Sequence, residues 1–248
     1  MSLIRSNKED AIRISIWSGP RNISTAMMRS FGSRPECQAV DEPFYAYYLA
    51  KTGLRHPMYE EVIASQPTDW RVVAKSLNAP LAPGSMLYIK HMTHHMTPEV
   101  DLSSFQGHRN CFLIRDPKRV IVSYAAKWDR IATEDIGIKR QLEIFRTLEK
   151  LTGQTPVVVE AEDILKRPEA TLKKLCAALD IPWRKEMLSW QKGRHAEDGA
   201  WAAHWYASVE ETTGFAPYEE RQVELKPDLM DLLAEQLPFY EELRSHKI

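Results

Sequence analysis

Five short strand-like segments, the first and the last three with helix-like stretches downstream, constrain this chain more than any other feature. They are Ile12 to Trp17, Cys37 to Val40, Met86 to Lys90, Asn110 to Ile114 and Pro156 to Glu160. Strands that alternate with helices pair in parallel, because each crossover returns the chain in the same direction, and a parallel sheet needs helices over both faces. The expected fold is therefore α/β, a mainly parallel sheet flanked by helices in three layers. At 248 residues the chain suffices for one large domain and is short for two. We expect one domain over 1–248.

Local signals fix the elements. Ile12 to Trp17 runs into Ser18-Gly19-Pro20, a strand meeting a tight loop, and a helix over Ser24 to Phe31 follows until Gly32 and Pro35 stop it. Asp116 and Pro117 are suited to the cap and first turn of a helix running to about Trp128. Further helices are expected over Glu134 to Leu151 and Pro168 to Leu179. The stretch from Trp183 to Phe215 holds four of the seven tryptophans amid scattered Gly, Lys, Arg and His, and reads as a long functional loop or lid. Phe44 to Tyr59 reads as a variable loop.

Composition excludes several classes of function. A formal net charge of −1 gives no general attraction to nucleic acid or to a membrane surface, and no apolar run approaches the roughly 20 residues that cross a bilayer. The polar segment Met1 to Asp10 lacks the apolar core of a secretory signal, so a cytoplasmic location is the expectation. The three cysteines, Cys37, Cys111 and Cys176, form no CxxC pair and are expected to be buried free thiols.

The chemistry is concentrated in two motifs. Trp17-Ser18-Gly19-Pro20-Arg21-Asn22-Ile23-Ser24-Thr25 places a cation and two hydroxyls between a strand and a helix N-terminus, where free N–H groups and the helix dipole attract an anion. It does not fit GxxxxGK[ST], so generic ATP or GTP hydrolysis is not indicated, and taken alone it also fits a surface turn capped by Ser24. Arg115, at a strand end, and Ser123, eight residues on, are the second motif: a guanidinium fork and a hydroxyl able to address one anion.

Cys111 to Tyr124, with its Arg115-Asp116-Pro117 and downstream Ser123-Tyr124, resembles the 3′-phosphate motif of the sulfotransferase family, and Gly19 to Thr25 is similar to that family's 5′-phosphosulfate loop. The resemblance implies a P-loop-like fold and 3′-phosphoadenosine 5′-phosphosulfate as cofactor, without a metal. It implies that Gly19, Pro20, Arg21, Asn22, Ile23, Ser24 and Thr25 form the 5′ site, with Arg21, Ser24 and Thr25 holding the phosphosulfate, and that Arg115 and Ser123 hold the 3′-phosphate. Ile23 stands where the family usually has Gly, which lets backbone approach the phosphate closely. Lys192-Gly193-Arg194 before Gly199-Ala200-Trp201 resembles the late segment that closes over the nucleotide.

For the base that takes the acceptor's proton, the resemblance offers two positions. Glu42 resembles the carboxylate of carbohydrate and tyrosylprotein sulfotransferases and is favoured; His91 lies one residue from the histidine of cytosolic members, and Lys90 is placed to assist. His91, His94 and His95 would share a face if helical, a weaker metal-site reading. Trp201, Trp205, His204 and Tyr206 fit either an acceptor pocket or core packing. Sulfuryl transfer to a small-molecule or carbohydrate-like acceptor is the leading expectation. A P-loop kinase-like phosphotransferase, with Asp41 or Glu160 holding Mg²⁺, and a catalytically silent nucleotide-binding module are the alternatives.

Overall fold

The computed structural model of the chain describes residues 10–126, 128, 131–220 and 223–248. The first nine residues, including most of the polar start, and Lys127, at the expected end of one helix, lie outside these. Five parallel strands form one sheet: β1 (Ile12–Ser18), β2 (Cys37–Asp41), β3 (Met86–Met92), β4 (Arg109–Ile114) and β5 (Val157–Glu160), in the order β2-β3-β1-β4-β5. Each predicted strand is present, with ends shifted by a residue or two.

The pleat divides the core in two. Ile14, Ile16, Met86, Tyr88, Cys111 and Leu113 pack on one face under α1 (Ser24–Gly32) and the helix Pro168–Ala178. Trp17, Leu87, Ile89, Phe112 and Ile114 pack on the other, with the helices Pro117–Ala125, Ile138–Thr152 and Met230–Ser245. Successive residues of a strand point to opposite faces, so neighbours in sequence go to different layers. That rule decides which polar residues of β3 reach the site.

Three expectations need correction. Phe44 to Tyr59 is not a loop: Tyr45–Thr52 forms helix α2, with Tyr45, Ala46, Tyr47 and Leu49 buried. The single helix expected over Glu134 to Leu151 is broken at Gly137, which takes φ +73° between the short helix Thr133–Ile136 and Ile138–Thr152. This break presses the Ile136 carbonyl against the phosphate-loop candidate, where a Cβ on Gly19 would lie 2.6 Å from it. Gly19 is thus a packing requirement. Cys111 and Cys176 are buried free thiols, but Cys37 is only half-buried.

The stretch 183–215 is largely irregular, yet anchored. Ser189 bridges Gly214, Arg29 pairs with Asp198 at 2.6 Å with both side chains fully buried, and Trp201 is core.

Candidate active site

All the polar residues singled out above except Lys192, Gly193 and Arg194 sit at or near the C-terminal edge of the sheet, or in β3 beside it. In open parallel sheets that edge is where ligands lodge, because strand ends and helix N-termini converge there. A cavity of about 460 Å³ opens at this edge, lined by Pro20 to Ala26, Arg115 and Ser123 on one side and by Glu42, Lys90 and a group of aromatic rings on the other.

The loop after β1 is shaped for an anion. Arg21 and Ile23 both take left-handed backbone, φ +60° and +54°, and such alternation turns successive N–H groups toward one point. Ile23 is the N-cap of α1 and gives no side-chain cap, so the first-turn N–H groups are left to a ligand. Arg21 donates from Nε to the Ser123 hydroxyl at 2.9 Å, and Arg115 donates from Nη1 to the Arg21 carbonyl at 2.7 Å, tying the two motifs into one unit. Burial first, then the Arg115 charge, pull the Arg21 pKa down. Two guanidiniums held this closely favour an anion between them. Glu162, which the sequence did not single out, takes the Arg115 Nε at 3.0 Å and orients the fork.

Ile23 gives a direct test of this loop. A β-branched residue in left-handed backbone is strained by about 1–2 kcal/mol, and glycine relieves that strain. Ile23→Gly and Ile23→Ala both lose the partly buried side chain, but only Gly escapes the strain. Ile23→Gly should be the more stable of the two by about 1 kcal/mol, a few degrees in melting temperature. Equal melting temperatures would show that the loop carries no strain at this position.

At the other side, four ionisable groups form one buried cluster. Lys90 Nζ donates to Asp41 at 2.9 Å, Glu42 Oε1 at 2.6 Å and the Tyr206 hydroxyl at 2.6 Å, so all three of its N–H bonds are engaged. Burial alone works against the Lys90 charge, but Asp41 and Glu42 hold its pKa well above the ordinary value. Glu42 moves upward, because burial outweighs the pull of Lys90. Its backbone is left-handed, φ +36°, pinned by a 3.0 Å bond from its N–H to the Lys90 carbonyl and by Gln66, whose side chain donates to the Glu42 carbonyl at 3.1 Å. Strain held in place at a cavity-facing carboxylate is typical of a functional position.

Two sequence expectations fail here. His91 is not at the cavity: it follows Lys90 in β3, so the pleat turns it to the opposite face, where it stacks on Trp17 at 4.0 Å and sits 3.2 Å from the Ser15 hydroxyl. Burial drives its pKa well below the usual value, leaving a neutral core imidazole. Nor do Lys192, Gly193 and Arg194 line the cavity. Lys192 pairs with Glu211 on the surface and Arg194 reaches the Gly199 carbonyl; Gly214, Phe215 and Ala216 line the rim instead. The three histidines share no helix either, since His91 belongs to β3 and His94 and His95 to a 3₁₀ turn.

That turn gives His94 and His95 a place the sequence reading did not assign them. His94 and His95 both border the cavity, beside Tyr45, Tyr124, Trp128 and Trp205. The sequence had marked the pair only by its spacing from His91, as a weaker metal-site reading. Trp201 and Tyr206 are both buried and line the cavity; Tyr206 also donates to Asp41 at 2.7 Å, fastening the 183–215 segment to the charged cluster.

The fold is thus a parallel α/β sheet with a positively charged loop after its first strand and a buried Asp41–Glu42–Lys90 cluster beside it. A family model described as "Sulfotransferase domain" matches residues 12–247. The chain belongs to that family. It is 33% identical over 230 residues, 93% of its length, to branched-chain-amino-acid aminotransferase-like protein 1 of Arabidopsis thaliana, and 32% identical to the second protein of that name. It spans about two fifths (41%) of each. Among solved structures, a sulfotransferase from Alicyclobacillus acidocaldarius superposes with a TM-score of 0.57 at 10% identity, covering 96% of both chains. The sulfotransferase domain of the Synechococcus PCC 7002 olefin synthase superposes with 0.52 at 15%, covering 92% of this chain and 94% of that one. Similarity at that level shows a shared fold. No helix among the described residues is long and apolar enough to cross a membrane.

Proposed function

We propose that the chain is an enzyme that transfers a sulfuryl group from 3′-phosphoadenosine 5′-phosphosulfate to a hydroxyl or amine of an acceptor, with Glu42 as the base. The observation that carries this reading is that one cavity is bordered by both the anion loop and the buried Glu42–Lys90 cluster. The cofactor supplies a sulfuryl group already joined to a phosphate leaving group. The N–H groups at the start of α1, with Arg21, Ser24 and Thr25, hold the 5′ end; Arg115 and Ser123 hold the 3′-phosphate. The loop's fixed N–H groups and Arg21 would stabilise negative charge on a leaving phosphate without having to reorganise. Glu42, its pKa raised by burial, takes the acceptor proton, and Lys90 keeps the carboxylate in place and charged.

The kinase-like alternative is less well supported. Asp41 is committed to Lys90, Tyr206 and the Gly199 N–H, and Glu160 to Lys247 and the Tyr240 hydroxyl. Neither carboxylate is left to a magnesium ion.

The test uses a phosphate that ordinary nucleotides lack. Wild type should bind adenosine 3′,5′-bisphosphate well ahead of adenosine 5′-monophosphate. A charge-assisted hydrogen bond contributes roughly 1.5–3 kcal/mol, so Arg115→Ala should shrink the ratio of the two affinities by about tenfold or more. Because Arg115 also holds the Arg21 carbonyl, the monophosphate should weaken somewhat too, and the ratio is the quantity to read. Arg21→Ala should weaken both ligands alike. Calorimetric titration of both ligands decides, and an unchanged ratio in Arg115→Ala would remove the 3′-phosphate from this site.

A further inference from the structure

The acceptor side of the cavity holds two polar atoms that face each other with nothing bonded between them. Glu42 gives Oε1 to Lys90, while its Oε2 lies 3.9 Å from His95 Nδ1. His95 is 2% exposed, and its Nδ1 is buried with no hydrogen-bond partner. At 3.9 Å the two atoms are too far apart to bond each other, and a hydroxyl oxygen about 2.8 Å from each would bridge them. The imidazole is held for that contact, stacked on Tyr45 at 4.5 Å and 9° and on Tyr48 at 4.9 Å and 29°.

The charge around this gap is selective. Lys90 has no N–H to spare, and two carboxylates, Asp41 and Glu42, stand against its one charge. Arg21 and Arg115 belong to the phosphate side. Burial keeps His95 neutral, pushes His94 down to about 3 and lowers His56, the third histidine of the cavity, so none of the three offers a cation. Four aromatic side chains, Tyr45, Tyr124, Trp128 and Trp205, the last two stacked at 6.1 Å, line the cavity together with the uncharged Met92, Leu165, Ser208, Val209 and Thr212. An anionic acceptor finds no counter-ion here, and a flat uncharged one finds rings to pack on.

We infer that the acceptor is an uncharged, ring-bearing alcohol whose hydroxyl oxygen sits between Glu42 Oε2 and His95 Nδ1, making His95 a second catalytic residue. This rests on the sulfuryl-transfer reading above. The hydroxyl has one proton, which goes to Glu42. His95 therefore donates its Nδ1–H to one lone pair of the oxygen, which fixes the tautomer and aims the other lone pair at sulfur. The new S–O bond forms on the acceptor as the S–O bond to the 5′-phosphate breaks, and that electron pair stays with the phosphate.

The experiment is titration of the protein saturated with adenosine 3′,5′-bisphosphate by three probes: benzyl alcohol, toluene and 4-(hydroxymethyl)benzoate. Benzyl alcohol should bind, and the carboxylate probe should bind at least about tenfold more weakly. His95→Ala should weaken benzyl alcohol by about tenfold and leave toluene no weaker, because only the alcohol loses a hydrogen bond. His95→Gln, which retains a side-chain N–H, should recover most of the loss and serves if the alanine variant does not fold. Equal losses for benzyl alcohol and toluene would make His95 a packing residue and overturn the inference. So would equal affinity for the carboxylate probe, or no binding of benzyl alcohol to the loaded protein. Failure of adenosine 3′,5′-bisphosphate to bind would instead strike the functional reading beneath it, and the inference with it.

Discussion

Replacing Glu42 with Gln should lower turnover by about 10² to 10⁴ while leaving the affinity for adenosine 3′,5′-bisphosphate unchanged within error. The range is that of a general base, and the asymmetry follows from position: Glu42 lines the cavity on the side opposite the loop proposed to hold the nucleotide. Gln keeps the size of the side chain and still offers Lys90 an oxygen at the place of Oε1, so the cluster stays packed. What it loses is the ability to accept a proton. The pH profile supplies a second reading. Because burial raises the Glu42 pKa, the acid limb of kcat/KM should fall above the ordinary carboxylate range, rising as Glu42 deprotonates, and the variant should show no such limb. His91→Ala is the control: it disturbs the packing against Trp17 and Phe105, so stability should drop, yet turnover per folded molecule should hold. If His91→Ala abolished turnover and Glu42→Gln did not, the assignment of the base would be reversed.

The choice between Glu42 and His91 shows where the sequence was legible and where it was not. Strand existence was readable because short β-branched runs between turn signals leave few other options, and the loop after β1 was readable because its order of strand, small residues, cation and hydroxyls serves one geometry. The parity of β3 was hidden. All seven residues from Met86 to Met92 are buried, so no alternation of polar and apolar residues betrays which face each takes, and Lys90 and His91 look equivalent in a list although they lie in different layers. Tyr45–Thr52 escaped notice for a related reason: three of its eight residues are tyrosine, which fits a loop or a helix equally, and only burial of Tyr45, Ala46 and Leu49 against the sheet decides. Glu162 was invisible because its role lies in a contact with Arg115, 47 residues away in sequence, across the β4–β5 edge. Gly19 was read only as part of the loop after β1; its close approach to the Ile136 carbonyl, brought up by a break at Gly137, left no signal in the sequence.

Lys90 should be the residue whose loss the fold tolerates least. It is fully buried and satisfies Asp41, Glu42 and Tyr206 together, so Lys90→Met leaves two carboxylates facing each other in a site shielded from water. Removing one partner of a buried pair typically destabilises by 3–5 kcal/mol, since the remaining charge keeps its desolvation penalty without its compensation. For a domain of this size that corresponds to a fall of roughly 10 °C or more in melting temperature. The damage should spread to the 183–215 segment, because Asp41 also accepts from the Gly199 N–H at 3.2 Å and from the Tyr206 hydroxyl, so loosening Asp41 frees both anchors. Amide exchange at Gly199 and Tyr206 should accelerate relative to the strands of the sheet. Adding Asp41→Asn to Lys90→Met removes one of the stranded charges. The double variant should then be more stable than Lys90→Met alone, although Asp41→Asn in the wild-type background is destabilising by itself. That sign reversal is the signature of a buried charge pair, and chemical denaturation of the four proteins in the cycle measures it. Losses that simply add, with the double variant the least stable of the four, would mean that the cluster is held by packing and hydrogen bonds, and that charge compensation by Lys90 contributes little.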